Sequence, residues 1–323
     1  MITVKDLVKT YETPIKSGSI LRDIIDRQYK KNIALNHISF EIDENEFVGF
    51  IGPNGAGKTT TMKILSGILY PTEGSTKVLG YTPFEKNNKF LKQIAFVMGQ
   101  KNQMLWELPA IDTFYLNKEI YEIGDASFKQ RLQEMVELLA CESFIDQPVK
   151  TLSLGQRMRV ELIASLLHKP KILFLDEPTI GLDIFAQAAI IKFLKEYQSR
   201  YKTTVMLTSH YMQDVQRLAK RIIMIDHGTI IFDGMLKDLI RDYSEEKIIN
   251  IIMDEPLEKL PAFISHYRHA YTFPQLKITI QKSQLHKILP QILESVAYND
   301  VTIEDEHIED IIKKIFKKKN TSS

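Results

Sequence analysis

Gly52-Pro53-Asn54-Gly55-Ala56-Gly57-Lys58-Thr59 meets the spacing G-x-x-x-x-G-K-[ST] at every fixed position. Glycines there let main-chain N–H groups curl around a di- or triphosphate at the positive end of a helix. The lysine then reaches the β- and γ-phosphates, and the threonine hydroxyl is a hard-oxygen ligand for Mg²⁺. Further on, Asp176-Glu177 ends the apolar run Ile172-Leu173-Phe174-Leu175. Taken alone, two adjacent acids read as a solvated turn. Coupled to a phosphate loop, Asp176 becomes a Mg²⁺ holder and Glu177 a base that orients or deprotonates a water, since the metal needs carboxylate oxygen and hydrolysis needs a positioned water. His210 closes the run that begins at Thr204. Beside a γ-phosphate it would donate a hydrogen bond, although a lone histidine is more often structural.

These groups need elements to carry them. Residues 47–51 read as a buried strand entering the phosphate loop, and a helix runs from Lys58 to about Gly67. Residues 171–175 and 204–209 read as strands buried on both faces, which deliver their last residues to the ligand side of an open α/β sheet. Residues 94–98 form another such strand, ahead of Gln100. Residues 2–11 alternate as a strand ending in Tyr11, which either stacks on an adenine ring or is a half-buried strand-end tyrosine. Residues 38–42 alternate likewise. Residues 19–31 predict a short amphipathic helix with a basic surplus, which either meets a lipid headgroup surface or packs on its own domain. A hairpin over 226–234 precedes a helix over 235–243 that closes the core. Beyond a linker, strands at 247–253 and 276–281 and helices at 284–296 and 308–317 suggest a small accessory domain with a basic tail.

At 323 residues, 44% hydrophobic and 26% charged, the chain has an ordinary globular composition, with room for one large domain and a small one. The formal net charge of +1 argues against a broad grip on nucleic acid, and no nucleic-acid partner is expected. Cys141 is the single cysteine, which excludes an internal disulfide and fits a reducing, cytoplasmic setting. No apolar run approaches the roughly eighteen residues of a membrane span, and Met1 leads straight into polar residues. Any span is therefore expected from another polypeptide.

The phosphate loop, Leu152-Ser153-Leu154-Gly155-Gln156, the Asp176-Glu177 strand, Gly181-Leu182-Asp183 and His210 stand in the order and approximate spacing of an ABC-transporter ATP-binding subunit. Residues 1–240 resemble that family. The pentapeptide is similar to the family signature Leu-Ser-Gly-Gly-Gln, with Leu154 in place of the first glycine. Gln100 corresponds to the family's glutamine loop, with Gln103 as the competing position. Within the family the chain is more similar to ATPases of the second exporter class, which handle drugs, lipids and polysaccharides. The helix over 19–31 resembles the basic gate helix of polysaccharide and teichoic-acid exporters.

The resemblance implies an α/β P-loop NTPase core. That core comprises a RecA-like sheet, an antiparallel β subdomain and a helical subdomain at about 100–165, all within a domain over 1–240; a small α+β domain spans 241–323. It also implies that ATP and Mg²⁺ bind between two subunits packed head to tail. One subunit supplies Gly52, Pro53, Asn54, Gly55, Ala56, Gly57, Lys58, Thr59 and Thr60. The other supplies Ser153, Gly155 and Gln156, with Asp183 communicating across the interface. Tyr11 would stack the adenine; Thr59, Gln100 and Asp176 would hold the metal; Lys58, Gln100, Glu177 and His210 would serve hydrolysis. The expected partners are a separate membrane permease and a second ATPase subunit, identical or related, at the inner face of the cell membrane. Trp106, the only tryptophan, either belongs to the permease contact or fills the helical subdomain. The alternative is a soluble ABC-type ATPase acting on ribosomes or DNA. Such relatives carry paired cassettes or a long coiled coil, and this chain has one cassette and no sustained heptads.

Overall fold

Apolar runs without alternation become a parallel sheet buried on both faces. The computed structural model describes residues 1–15, 29–99, 101–209 and 211–320, the side chains of 318–320 excepted. Chain contacts divide it into two units, Met1–Met235 and Leu236–Ser323.

The first unit runs β1 (Ile2–Pro14), β2 (Tyr29–Ile42), β3 (Phe47–Ile51), α1 (Lys58–Leu65), β4 (Glu73–Val78), α2 (Asn88–Leu91), β5 (Ile94–Met98), α3 (Ala110–Ile120), α4 (Asp125–Leu139), α5 (Leu154–Leu166), β6 (Ile172–Asp176), α6 (Ile184–Tyr201), β7 (Thr204–Thr208), α7 (Met212–Leu218), β8 (Arg221–Asp226) and β9 (Thr229–Met235). Its main sheet has the order β5-β6-β7-β3-β8-β9, parallel except for β9, the return arm of the expected hairpin. Ile172, Leu173, Phe174 and Leu175 on β6 are fully buried, each contributing roughly 1.5–3 kcal/mol of transfer free energy. The register sets Met98 opposite Asp176 and Asp176 opposite Thr208. Three strand ends therefore line up at the carboxyl edge of the sheet, where ligands of open α/β sheets sit.

Helices α3, α4 and α5 share a core with Phe114, Phe128, Met135, Val160 and Ile163, which forms the helical subdomain. The antiparallel sheet β2-β1-β4 completes the unit. One expectation fails here. Tyr29, Lys30 and Lys31, read as the end of an amphipathic helix, are strand residues paired with Pro14, Thr13 and Glu12. Main-chain bonds to a neighbouring strand override a helical period that a short segment carries only weakly. Residues 19–28 of that helix lie outside the described residues.

The second unit contains α8 (Leu236–Tyr243), β10 (Glu246–Met253), β11 (Arg268–Thr272), β12 (Gln275–Gln281), α9 (Leu285–Ser295), β13 (Tyr298–Asp305) and α10 (Ile308–Asn320). The helix expected to close the first domain thus groups with the second unit. The sheet order β11-β12-β10-β13 is antiparallel throughout. This is the split β-α-β arrangement, with only a short 3₁₀ turn at Ile264–His266 in place of the first helix. Ile249, Ile251, Leu276, Ile278, Ile288 and Ile292 pack together as its core.

Candidate nucleotide site

The phosphate loop leaves β3 and enters α1 through Gly57, whose φ is 110°. A side chain there would be strained by that angle, and its Cβ would come within 2.7 Å of the Ala34 carbonyl oxygen, so glycine is required. Lys58 is buried, and its Nζ donates to the carbonyl oxygens of Gly52 at 2.7 Å and Pro53 at 3.0 Å. Burial holds its pKa below the usual lysine value, against the opposing pull of the Glu177 and Asp176 carboxylates. A cation buried beside two acids and bonded to two carbonyl oxygens is well placed to exchange those bonds for phosphate oxygens.

Asp176 ends β6 with both carboxylate oxygens engaged. The Thr59 hydroxyl donates to Oδ2 at 2.8 Å, and the Thr208 hydroxyl donates to Oδ1 at 2.7 Å. Glu177 lies just past the strand at a φ of 55°, and its N–H donates to Thr208 Oγ1 at 3.1 Å. Gly99 permits this turn: its N–H donates to the Asp176 carbonyl at 2.9 Å, and a Cβ there would lie 2.0 Å from the Glu177 carbonyl oxygen. A cavity of about 210 Å³ opens at this point, lined by Thr59, Lys63, Met98, Lys101, Asp176 and Glu177. A hydroxyl and a carboxylate oxygen meeting at a cavity wall fit Mg²⁺, which takes one or two protein oxygens and completes its shell with phosphate and water. Among the described residues no group of three or more His, Cys, Asp or Glu could hold a metal ion.

A second cluster forms at the N-termini of α5 and α6. Ser153 caps α5: its Oγ accepts the Gln156 N–H at 3.2 Å, and Gln156 Oε1 accepts the Ser153 N–H at 2.9 Å. Asp183 caps α6, accepting the N–H groups of Phe185 at 2.9 Å and Ala186 at 2.8 Å. The two helix starts touch. A Cβ on Gly155 would lie 2.8 Å from that of Ala186, and a Cβ on Gly181 would lie 3.1 Å from Leu154 Cδ2. Leu154, the departure from the signature pattern, therefore lies against Gly181. Ile184 and Phe185, next to Asp183, are 73% and 79% exposed.

The structure thus brings Lys58, Thr59, Asp176 and Glu177 together, and separately gathers Ser153, Gly155, Gln156 and Asp183. Tyr11 lies on β1, half-exposed, with Lys9 Nζ 5.3 Å from its ring centre. Gln103, the competing glutamine, points elsewhere: its Nε2 donates to the Phe96 carbonyl at 3.0 Å. Trp106 is 44% exposed and carries the Arg157 guanidinium 5.7 Å from its ring centre, so it does not fill the subdomain core. Gln100 and His210 lie outside the described residues.

Sequence reasoning missed Thr208, which bonds both Asp176 and the Glu177 main chain. The available signal was a hydroxyl residue at the end of a strand parallel to the one that carries the acids. It also missed Asp214, which accepts the Thr179 hydroxyl at 2.7 Å and the Gln187 amide at 2.9 Å, and so braces the chain between β6 and α6.

The profile of the family described as ABC transporter matches residues 35–180. The linearmycin resistance ATP-binding protein LnrL of Bacillus subtilis is 29% identical over 283 residues, covering 86% of this chain and 90% of that protein. The Nod factor export ATP-binding protein I of Sinorhizobium fredii is 30% identical over 234 residues, covering 72% of this chain and 68% of that protein. A solved dimeric ATP-binding cassette, in a post-hydrolysis state bound to ADP and Pi, is 25% identical with a TM-score of 0.62, covering 73% of this chain and 99% of that one. The expected P-loop NTPase fold is borne out by this likeness. Agreement of the phosphate loop, the sheet and these relatives places the chain in the ABC transporter family, as one of its ATP-binding, ATP-hydrolysing subunits.

Proposed function

We propose that this subunit binds and hydrolyses MgATP between two cassettes packed head to tail, and so drives export through a separate membrane permease. The observation that carries the reading is the division of the site into two half-sites. Thr59, Asp176 and Glu177 line one cavity with Lys58 close to both acids, whereas Ser153 caps a different helix beside the exposed Ile184 and Phe185. An exposed helix N-terminus attracts anions, and a second copy of this chain carries a phosphate loop to supply one.

In this mechanism Lys58 leaves the Gly52 and Pro53 carbonyls for the β- and γ-phosphates, and the loop N–H groups from Asn54 to Thr60 cradle the rest, with Gly52 and Pro53 shaping the turn. Thr59 and Asp176 hold Mg²⁺ together with Gln100, which the family pattern assigns to this role. Bound there, the ion neutralises charge on the phosphate oxygens. Glu177 orients the attacking water and takes its proton, and His210 donates to the γ-phosphate. Ser153 and the α5 N–H groups of the opposing subunit bind the γ-phosphate from the other side, Asp183 lies at the same seam, and Tyr11 stacks on the adenine. Loss of the γ-phosphate weakens the joint between the subunits.

A groove and the relatives support a permease partner and export. A groove of about 570 Å³ between the core and the helical subdomain is lined by residues that include Ile68, Lys92, Phe96 and Ile120, of which Ile68 and Ile120 are exposed. No helix of the described residues is long and apolar enough to cross a membrane, and this reading assigns the span to the permease and the subunit to the inner membrane face. The resistance and export relatives support the direction.

The test is Glu177→Gln with MgATP on a sizing column coupled to light scattering. The variant is expected to bind ATP without turnover and to elute as a dimer. A monomer at saturating ATP would overturn the head-to-tail site.

A further inference from the structure

Glu161 lies on α5, the helix that Ser153 begins, and is 3% exposed. A carboxyl group at such a place is disfavoured unless something answers its charge, and hydrolysis leaves it without a role. Its Oε1 accepts the main-chain N–H of Gln103 at 3.4 Å. Around the pair lies a polar cavity of about 150 Å³, whose lining includes Gln103, Thr113, Asn117, Ser165 and His168. That space suffices for water to complete the carboxylate's hydrogen bonds.

The cavity is rich in acceptors. Asn117 gives its amide hydrogen to the Ala164 carbonyl at 2.9 Å, and Gln103 gives its own to Phe96. His168 Nε2 lies 3.0 Å from the Ile94 carbonyl, which can only accept, so Nε2 carries the hydrogen; Nδ1 is then a buried lone pair without a partner among the described residues. The titratable or charged groups about Glu161 are Arg157 and His168 from α5 and the turn after it, and Tyr121 from the end of α3, stacked on His168 at 3.9 Å. Burial pushes Glu161 up to about 7, opposed by the Gln103 N–H and Arg157, and pushes His168 down to about 4.

The segment that Glu161 grips is tied to the same helix and its lead-in at further points. The Lys150 N–H donates to the Trp106 carbonyl at 3.0 Å, and the Val149 N–H donates to Leu108 at 3.0 Å. Arg157 lies over the Trp106 ring.

We propose that Glu161 is a positioning residue, whose ionised carboxylate clamps the main chain at Gln103 to the helix that presents Ser153, so that loop and helix move together. Its effect on turnover rests on the proposed role of Ser153; the clamp itself does not. Ionised, the carboxylate accepts a charge-assisted bond from Gln103; protonated, it is neutral and the bond weakens.

Trp106 is the only tryptophan and lies in the clamped segment, so its emission reads the clamp in the full chain without nucleotide or dimer. Between about pH 5.5 and about pH 8.5, wild type is expected to show an emission transition centred near 7 that Glu161→Gln lacks and His168→Gln keeps. Glu161→Gln should bind ATP within about twofold of wild type, with kcat about tenfold lower at pH 8 and less than about twofold lower at pH 6. Identical emission curves for wild type and Glu161→Gln would overturn the clamp. If Glu161→Gln fails to fold, the wild-type titration decides, and a flat curve overturns the proposal. A normal emission difference with a kcat ratio that does not vary with pH would show a clamp that turnover does not use, and would overturn the positioning role alone.

Discussion

Thr208 gives its hydroxyl hydrogen to Asp176 Oδ1 at 2.7 Å, across the pairing of β6 with β7. Thr208 Oγ1 in turn accepts the Glu177 N–H at 3.1 Å, so one threonine orients the acid assigned to the metal and the main chain of the acid assigned to the water. From the other side, Thr59 bonds Asp176 Oδ2. The carboxylate is thereby held between two hydroxyls from separate elements.

Thr208→Val keeps the shape and deletes the hydroxyl. Steady-state hydrolysis is expected to fall by about 10- to 100-fold, with ATP binding little changed, since the lost bonds position the acids proposed to serve hydrolysis rather than the phosphate loop. Thr208→Ser should retain most of the rate. Wild-type turnover in the valine variant would show that Asp176 needs no such support.

Gly155→Ala would place a Cβ 2.8 Å from that of Ala186, a contact between main-chain-anchored atoms that cannot swing away. The helix starts must separate, at roughly 1–3 kcal/mol in a thermal or urea melt, with a matching loss of hydrolysis. Adding Ala186→Gly should restore a large share of both. A double variant no better than Gly155→Ala would place the damage elsewhere.

Ile184→Ser with Phe185→Ser alters two side chains that are 73% and 79% exposed. Stability of the monomer should change by less than about 0.5 kcal/mol, as for ordinary surface positions. In a Glu177→Gln background, sedimentation with MgATP should show the dimer weakened about tenfold or more, because apolar area next to the proposed Ser153 seam stays wet. An unchanged dimer constant would place these residues outside the interface.

Burial raises Glu161 from 4.5 to about 7. The folded chain therefore holds this proton more tightly than the unfolded chain. The stabilisation is full below about pH 4.5 and is lost as pH rises through about 7. Glu161→Gln removes the titration, so its stability relative to wild type should climb with pH, by up to about 3 kcal/mol at pH 8. Melts at about pH 5 and about pH 8 check the sign, and a difference that shrinks with pH would contradict it.

The phosphate loop and the strands at 94–98 and 172–176 were legible because their determinants are local. Glycine at a φ of 110° and an unbroken apolar run need no distant partner to be recognised. The edge strands β11 and β13 were not legible. Their residues are largely exposed, and polar or charged side chains on strand edges hide the alternation that marks a strand. Tyr29–Lys31 were misread for a related reason, since their conformation is set by pairing with Glu12–Pro14.

By itself, the sequence determined the turn from Gly52 to Thr59 and the helix it enters, because contiguous main-chain geometry makes that loop. Only the tertiary structure decided that Thr208 supports Asp176, that Leu154 rests on Gly181 and that Glu161 meets Gln103. Each of these contacts joins residues distant along the chain. Their geometry is created by sheet register and helix packing, which no local pattern encodes.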